Sequence, residues 1–243
     1  MTKPVCAIVG AGEGLGRALA EKFASREFDI ALISRSEANS SAAIKAAATA
    51  ASAANVRFFS ADAAQPETLE SAFATVQHEM GEIDLLIYNA RGSFSVCAPL
   101  DMSYAALEDV YRVEVIGAFA AAKSVLPGMI ERSRGSVFFS SSTAAFRGSK
   151  ALPLYAIGKF GLRALSQSLT KAYAINGVHF VHFRLDCDLD VPIMRERYGD
   201  KYDPQELANP DDVAETYWLT YQQPKTAWSN EVEIRPYTET WTY

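Results

Sequence analysis

Three cysteines in 243 residues, Cys6, Cys97 and Cys187, are too few and too far apart for a disulfide framework or a metal-ligand pattern. They are expected as reduced, mostly buried thiols. Histidine is as scarce: His78, His179 and His182 stand at no ligand spacing, so they are expected to be structural and no metal is expected. The chain has no block of like charge, and its net charge of −6 argues against nucleic acid or an anionic membrane as the main partner. No apolar stretch reads as long enough to span a bilayer. The start, MTKPVCAIVG, enters a strand-like run without the long apolar segment of a signal peptide, and a cytoplasmic location is expected. Internal repeats and low-complexity linkers are also missing, so 1–243 is expected to be a single domain.

What is present is a globular composition, 49% hydrophobic and 21% charged, on a chain long enough to bury a large core. Short apolar runs at 4–9, 30–33, 56–59, 84–88, 137–140 and 178–183 read as strands. Between them lie helical patterns, among them an alanine-rich stretch at 37–54, a segment at 66–80 opened by Pro66, long helices at 104–129 and 154–173, and another at 211–221. Regular alternation of short strands and helices predicts an α/β doubly wound parallel sheet of Rossmann type, in three α/β/α layers.

In such a sheet ligands bind beyond the carboxyl ends of the strands. After the first strand comes Gly10-Ala11-Gly12-Glu13-Gly14-Leu15-Gly16. Glycines permit a tight turn and bring backbone amides to a pyrophosphate at a helix N-terminus. The spacing Gly10-x-x-x-Gly14-x-Gly16 departs from the strict G-x-G-x-x-G register. After the second strand, Ser34 stands where an acid often holds the ribose of NAD, and Arg35 follows. An acid there would repel a 2′-phosphate, whereas a guanidinium can hold one, so NADP is expected over NAD, with Arg17 as a possible second cation. Asp62-Ala63 after the third strand can meet an adenine edge or cap the next helix. Asn89-Ala90 after the fourth can approach the nicotinamide ribose or support the neighbouring strand.

The chemistry is carried by the stretch after the fifth strand. Tyr155 and Lys159 are four apart, hence one turn apart on the same face of a helix. An ammonium one turn away favours a phenolate, which makes the pair a usable general acid/base. Ser142, at the end of the strand-like GSVFFSSS, offers a hydroxyl to a substrate oxygen. Alone, Tyr-x-x-x-Lys is a common pattern that usually marks a solvated helix face.

Taken in order, Gly10-x-x-x-Gly14-Leu15-Gly16, Asp62-Ala63, Asn89-Ala90, Ser142 and Tyr155-x-x-x-Lys159 resemble the motifs of the short-chain dehydrogenase/reductase family over nearly the whole chain. The resemblance implies nicotinamide-dependent reduction of a carbonyl or oxidation of an alcohol. It makes Tyr155 the general acid/base, Lys159 the ligand of the nicotinamide ribose that favours the tyrosinate, and Ser142 the hydrogen-bond partner of the substrate oxygen. It implies a small carbonyl or alcohol substrate, a lid around 186–209, and a homodimer or homotetramer. The expected pairing is through the long helices, where Ala118, Ala121, Ala122, Gly158, Gly161 and Ala164 are small.

Three departures stand out. The family's Asn-Ala-Gly is Asn89-Ala90-Arg91 here, and the asparagine of its long fourth helix, which helps hold a water near the lysine, is Glu114. Glu114 can hold that water or pair directly with Lys159. The family's Pro-Gly segment after the sixth strand is replaced by 184–192, RLDCDLDVP, and residues 184–235 are similar to an atypical branch of the family. Asp186, Asp188 and Asp190 are expected to serve as loop and cap residues before a cationic or polyhydroxyl substrate is invoked. Met194, Tyr198 and Tyr202 are expected in the lid. Glu114 and Arg91 motivate an alternative, a dinucleotide-binding sensor or scaffold without catalysis.

Overall fold

Apolar residues of the central strands alternate between two faces, and each face is buried by its own helices. In the computed structural model, which describes residues 3–240, Val5, Ala7 and Val9 of β1 (Val5–Val9) join one core while Cys6 and Ile8 join the other. The remaining strands are β2 (Asp29–Ser34), β3 (Val56–Ser60), β4 (Ile83–Tyr88), β5 (Gly135–Ser142), β6 (Val178–Leu185) and β7 (Glu231–Ile234). All pair in parallel in the order β3-β2-β1-β4-β5-β6-β7. The order reverses between β1 and β4, and a crevice opens beyond their carboxyl ends.

One core lies under α1 (Leu15–Ala24), α2 (Glu37–Ala50) and α8 (Pro210–Tyr221). The other lies under α3 (Pro66–Met80), α5 (Ala118–Glu131) and α6 (Pro153–Tyr173), and α4 (Tyr104–Tyr111) packs against α6. A short helix, α7 (Pro192–Tyr198), follows β6 at the mouth of the crevice. The predicted doubly wound sheet is therefore the observed one, with a seventh strand added at its edge. That strand reads Glu231-Val232-Glu233-Ile234, and its acids are neutralised by arginines distant in sequence: Arg163 to Glu231 at 2.8 Å and Arg184 to Glu233 at 2.6 Å.

A π-helical turn at Arg112–Gly117 joins α4 to α5, so 104–131 is one continuous helical run. This corrects the expectation that no apolar stretch reaches membrane-spanning length, because Tyr104–Glu131 meets it by length and composition. Its apolar side is occupied within the domain: Ala118, Ala121, Ala122 and Met129 are fully buried in the core. The wide turn is held by close contacts. The Tyr88 hydroxyl donates to the Val113 carbonyl, and a Cβ on Gly117 would lie 2.1 Å from the Ala63 carbonyl oxygen, so only glycine fits.

Five of the six small residues expected to form a subunit contact are used inside the chain, while Ala164 is exposed. Ala118, Ala121 and Ala122 face the core. A Cβ on Gly158 would lie 2.8 Å from the Glu114 side chain, and one on Gly161 2.6 Å from Val115, so these glycines let α6 press against the π turn.

Candidate active site

The glycine turn is fixed by its neighbours across the strand-order reversal. Gly10 has φ +86°, and a Cβ there would approach the Ala90 nitrogen to 2.5 Å. A side chain is excluded on both counts. The Asn89 side chain donates to the Gly10 carbonyl at 2.9 Å, and its backbone N–H donates to the Val9 carbonyl at 2.8 Å. Asn89 and Ala90 thus brace the turn from β4. Gly16 packs on Ala11, where a Cβ would sit 2.7 Å from Cα, and Leu15 anchors α1 in the core. The residue preceding α1, Gly14, provides no side-chain cap, which leaves the first amides of the helix facing the crevice.

Beyond β2, Arg35 is exposed and has no carboxylate within ion-pairing distance among the described residues. Ser34 turns inward, its hydroxyl donating to the Ser36 carbonyl at 3.0 Å and lying 2.9 Å from the Ser40 hydroxyl. Arg17, expected as a second cation, is instead engaged by Glu21 at 2.7 Å and Asp211 at 2.6 Å. Asp62 accepts from the Ala64 N–H at 2.9 Å, and its own N–H donates to the Thr68 hydroxyl at 3.0 Å. The residue that precedes α3 is Gln65, with no side-chain cap, so Asp62 closes a turn in the loop before the helix and does not cap it. Arg35, Asp62, Ala63 and Ala90 do not line the main crevice, whereas Gly10, Gly14, Leu15, Gly16, Asn89, Ser142, Tyr155 and Lys159 all do. The crevice is an open cleft of about 1340 Å³.

Ser142 ends β5 and accepts from the Ala144 N–H at 3.2 Å, which aims the strand end into the crevice. Tyr155 and Lys159 stand on the first turns of α6, with the Lys159 ammonium 5.5 Å from the Tyr155 ring centre. Lys159 is nearly buried and donates to the Ser140 carbonyl at 3.3 Å. Behind it, fully buried Glu114 approaches the ammonium to 2.9 Å and also accepts from the Gly92 N–H at 2.9 Å. Of the two roles weighed for Glu114, direct pairing is the one observed. Burial pulls the Lys159 pKa down, but the charges of Glu114 and Tyr155 more than offset this and the net shift is upward. The lysine is therefore held as a cation.

The aspartates after β6 are all engaged. Asp186 pairs with Arg235 at 2.6 Å, Asp188 accepts from the Tyr198 hydroxyl at 2.8 Å, and Asp190 accepts from Arg195 at 2.7 Å and Tyr202 at 3.0 Å. Hydrogen bonds from Arg195 hold the Asp190 carboxyl below its usual range. Their loop role agrees with the expectation, and Tyr198 and Tyr202 serve to pin the segment. Met194 does line the crevice, as does Cys187, whose thiol is pushed up to about 12 by burial and by Asp188, Asp186 and Glu239. That thiol is inert at neutral pH.

Phe94 and Arg197 are among the lining residues that carried no assigned role in the sequence. Phe94, in the loop after β4, meets the Tyr155 ring edge-on at 5.1 Å between centres. Arg197, on α7, lies 6.0 Å from the Phe94 ring centre, and Arg91 lies 5.4 Å from the same ring. An exposed aromatic beside a candidate catalytic tyrosine is a signal available only after folding.

Comparison with known proteins agrees with this geometry. Residues 4–185 match the family described as short chain dehydrogenase. An uncharacterized oxidoreductase of Staphylococcus saprophyticus is 26% identical over 233 residues, covering 96% of this chain and 97% of that protein. A solved short-chain dehydrogenase from Rhodopseudomonas palustris superimposes with a TM-score of 0.81 at 25% identity, covering 96% and 99% of the two chains. L-sorbose reductase from Gluconobacter frateurii, solved with NADPH and L-sorbose, has the same fold: TM-score 0.84 at 20% identity, covering 97% and 96%.

Proposed function

Since the chain belongs to the short-chain dehydrogenase family, we propose that this oxidoreductase is NADP(H)-dependent and interconverts a carbonyl and an alcohol, with Tyr155 as general acid/base. The observation that carries the proposal is the meeting of Ser142, Tyr155 and Lys159 in the crevice that the glycine turn opens. The crevice suits a dinucleotide: a side-chain-free turn at Gly10, uncapped amides at the start of α1, and an open cleft of about 1340 Å³. Gly10, Gly14, Leu15, Gly16, Asn89 and Ala90 would hold it, and Arg35 would meet a 2′-phosphate. When bound, a nicotinamide supplies or accepts the hydride.

The chain's own residues manage the oxygen and its proton. In the reductive direction Ser142 donates a hydrogen bond to the carbonyl oxygen and Tyr155 gives it a proton. Lys159 stabilises the tyrosinate left behind, because an ammonium in a poorly hydrated site interacts strongly with a phenolate. In the oxidative direction Tyr155 takes the alcohol proton. Glu114 keeps Lys159 charged and fixed against the Ser140 carbonyl.

The Glu114–Lys159 pair also favours a second reading. A lysine shared with a buried carboxylate has less charge to lend Tyr155, as in a dinucleotide-binding protein without turnover. A panel of aldehydes and ketones assayed for NADPH oxidation separates the two. Turnover of any member supports the oxidoreductase; tight NADPH binding with none supports the sensor.

A further inference from the structure

Arg91 and Arg197 approach one ring from separate elements, the loop after β4 and helix α7. Their guanidinium carbons lie 5.4 and 6.0 Å from the Phe94 centre, and Phe94 contacts Tyr155 at 5.1 Å. Both line the crevice, and no carboxylate of the described residues is within ion-pairing distance of either. The neighbouring acids are otherwise engaged: Asp190 by Arg195, Asp186 by Arg235 and Glu114 by Lys159. Arg91 is also close enough to act unfavourably on the charge of Lys159. The other acids lining the crevice, Glu13, Asp188, Glu196 and Glu239, form no ion pair with either arginine, and two unpaired cations beside a tyrosine are complementary to an anion.

We propose that Arg91 and Arg197 form a carboxylate clamp beside Tyr155, so that the substrate is a carbonyl or hydroxyl compound bearing a carboxylate on an apolar body. Guanidinium groups bind carboxylates through paired, charge-assisted hydrogen bonds. Phe94, 38% exposed, offers the apolar contact between the clamp and the reacting oxygen. Of the lining acids, Glu196 shares α7 with Arg197 but does not pair with it. The other anion available is the diphosphate of the cofactor. The uncapped amides of α1 suit it, whereas the clamp sits by the tyrosine. The inference rests on Tyr155 facing the substrate, as proposed above.

The test is calorimetric titration of the NADPH-loaded protein with benzoate and with its neutral isostere benzamide. Benzoate should bind roughly tenfold tighter or more, as losing one charge-assisted contact would imply. The preference should weaken with added NaCl and collapse in Arg91→Gln and in Arg197→Gln, with NADPH affinity unchanged. Equal affinities in the wild type would overturn the clamp without recourse to any variant. Variants that weaken NADPH while leaving the benzoate preference intact would assign the arginines to the cofactor diphosphate and overturn it too. Binding is independent of turnover. A protein that reduces carbonyls yet binds both probes equally loses only the clamp; one that prefers benzoate but turns over no carbonyl keeps the carboxylate site and loses the oxidoreductase reading together with the carbonyl substrate.

Discussion

Replacing Glu114 by glutamine isolates the contribution of the buried ion pair. The substitution keeps the side-chain volume and the Oε1 that accepts from the Gly92 N–H at 2.9 Å. It removes the only carboxylate that pairs with Lys159 among the described residues, leaving an ammonium 3% exposed against an amide. Removing one partner of a buried pair typically costs ~3–5 kcal/mol, most of it the desolvation of the charge left behind. At ~2–4 °C per kcal/mol for a chain of this size, the midpoint should fall by roughly 6–20 °C. The dependence on pH has a defined sign. In the wild type the Lys159 pKa is raised, so its stabilisation is complete below the unfolded value of ~10.4 and is lost only as pH rises through the folded pKa. In the variant burial acts without Glu114 and lowers the lysine pKa. The variant then gains stability as pH rises toward ~10.4, since its unfolded chain binds the extra proton. Urea unfolding at pH 7 and pH 10 should therefore show a large gap that narrows at the higher pH. The double variant Glu114→Gln/Lys159→Met should recover part of the loss. A single variant within about 0.5 kcal/mol of wild type at pH 7 would refute the reasoning.

Three further outcomes are expected. Burial holds the His182 pKa at about 3, and neither ring nitrogen has a hydrogen-bond partner among the described residues; since its unfolded value is near ~6.5, stability should fall as pH drops below that, by up to ~1.4 kcal/mol per unit for one proton, and His182→Gln should reduce the slope. Arg35→Ala should weaken NADPH roughly tenfold to a hundredfold by fluorescence titration and leave NADH unchanged, while Ser34→Asp should shift preference toward NADH; equal wild-type affinities would remove the role given to Arg35. Tyr104, Tyr111, Phe119, Ile157 and Phe160 expose apolar surface along α4, α5 and α6, so light scattering should show a homodimer or homotetramer that Phe119→Glu weakens, and a wild-type monomer at micromolar concentration would count against it.

Local patterns carried most of the fold. Apolar runs ending in glycine, serine or asparagine located five strands, an apolar run before Arg184 located the sixth, and Tyr155 and Lys159 needed only the helical period to be placed together. What escaped depends on contacts between distant residues. β7 reads as a charged segment until Arg163 and Arg184 neutralise its glutamates. The sizes of Gly158, Gly161 and Ala121 were legible, but the direction they face was not, because the π turn changes the phase of the helix beneath them. Arg17 looked free beside the glycine turn until α8 brought Asp211 to it. Arg91, Phe94 and Arg197 converge only when α7 folds over the loop after β4.

The most direct test is the fate of the hydride and of the proton. NADPH deuterated at the nicotinamide C4 is supplied with the best member of the carbonyl panel, to wild type and to Tyr155→Phe, with NADPH affinity measured for both. Deuterium is expected on the carbinol carbon of the wild-type product, with the variant slower by ~10²–10⁴-fold and its NADPH affinity preserved, as for the loss of a general acid. Label transfer at a near-wild-type rate by Tyr155→Phe would contradict the role of Tyr155, and no label in any product would contradict the reaction itself.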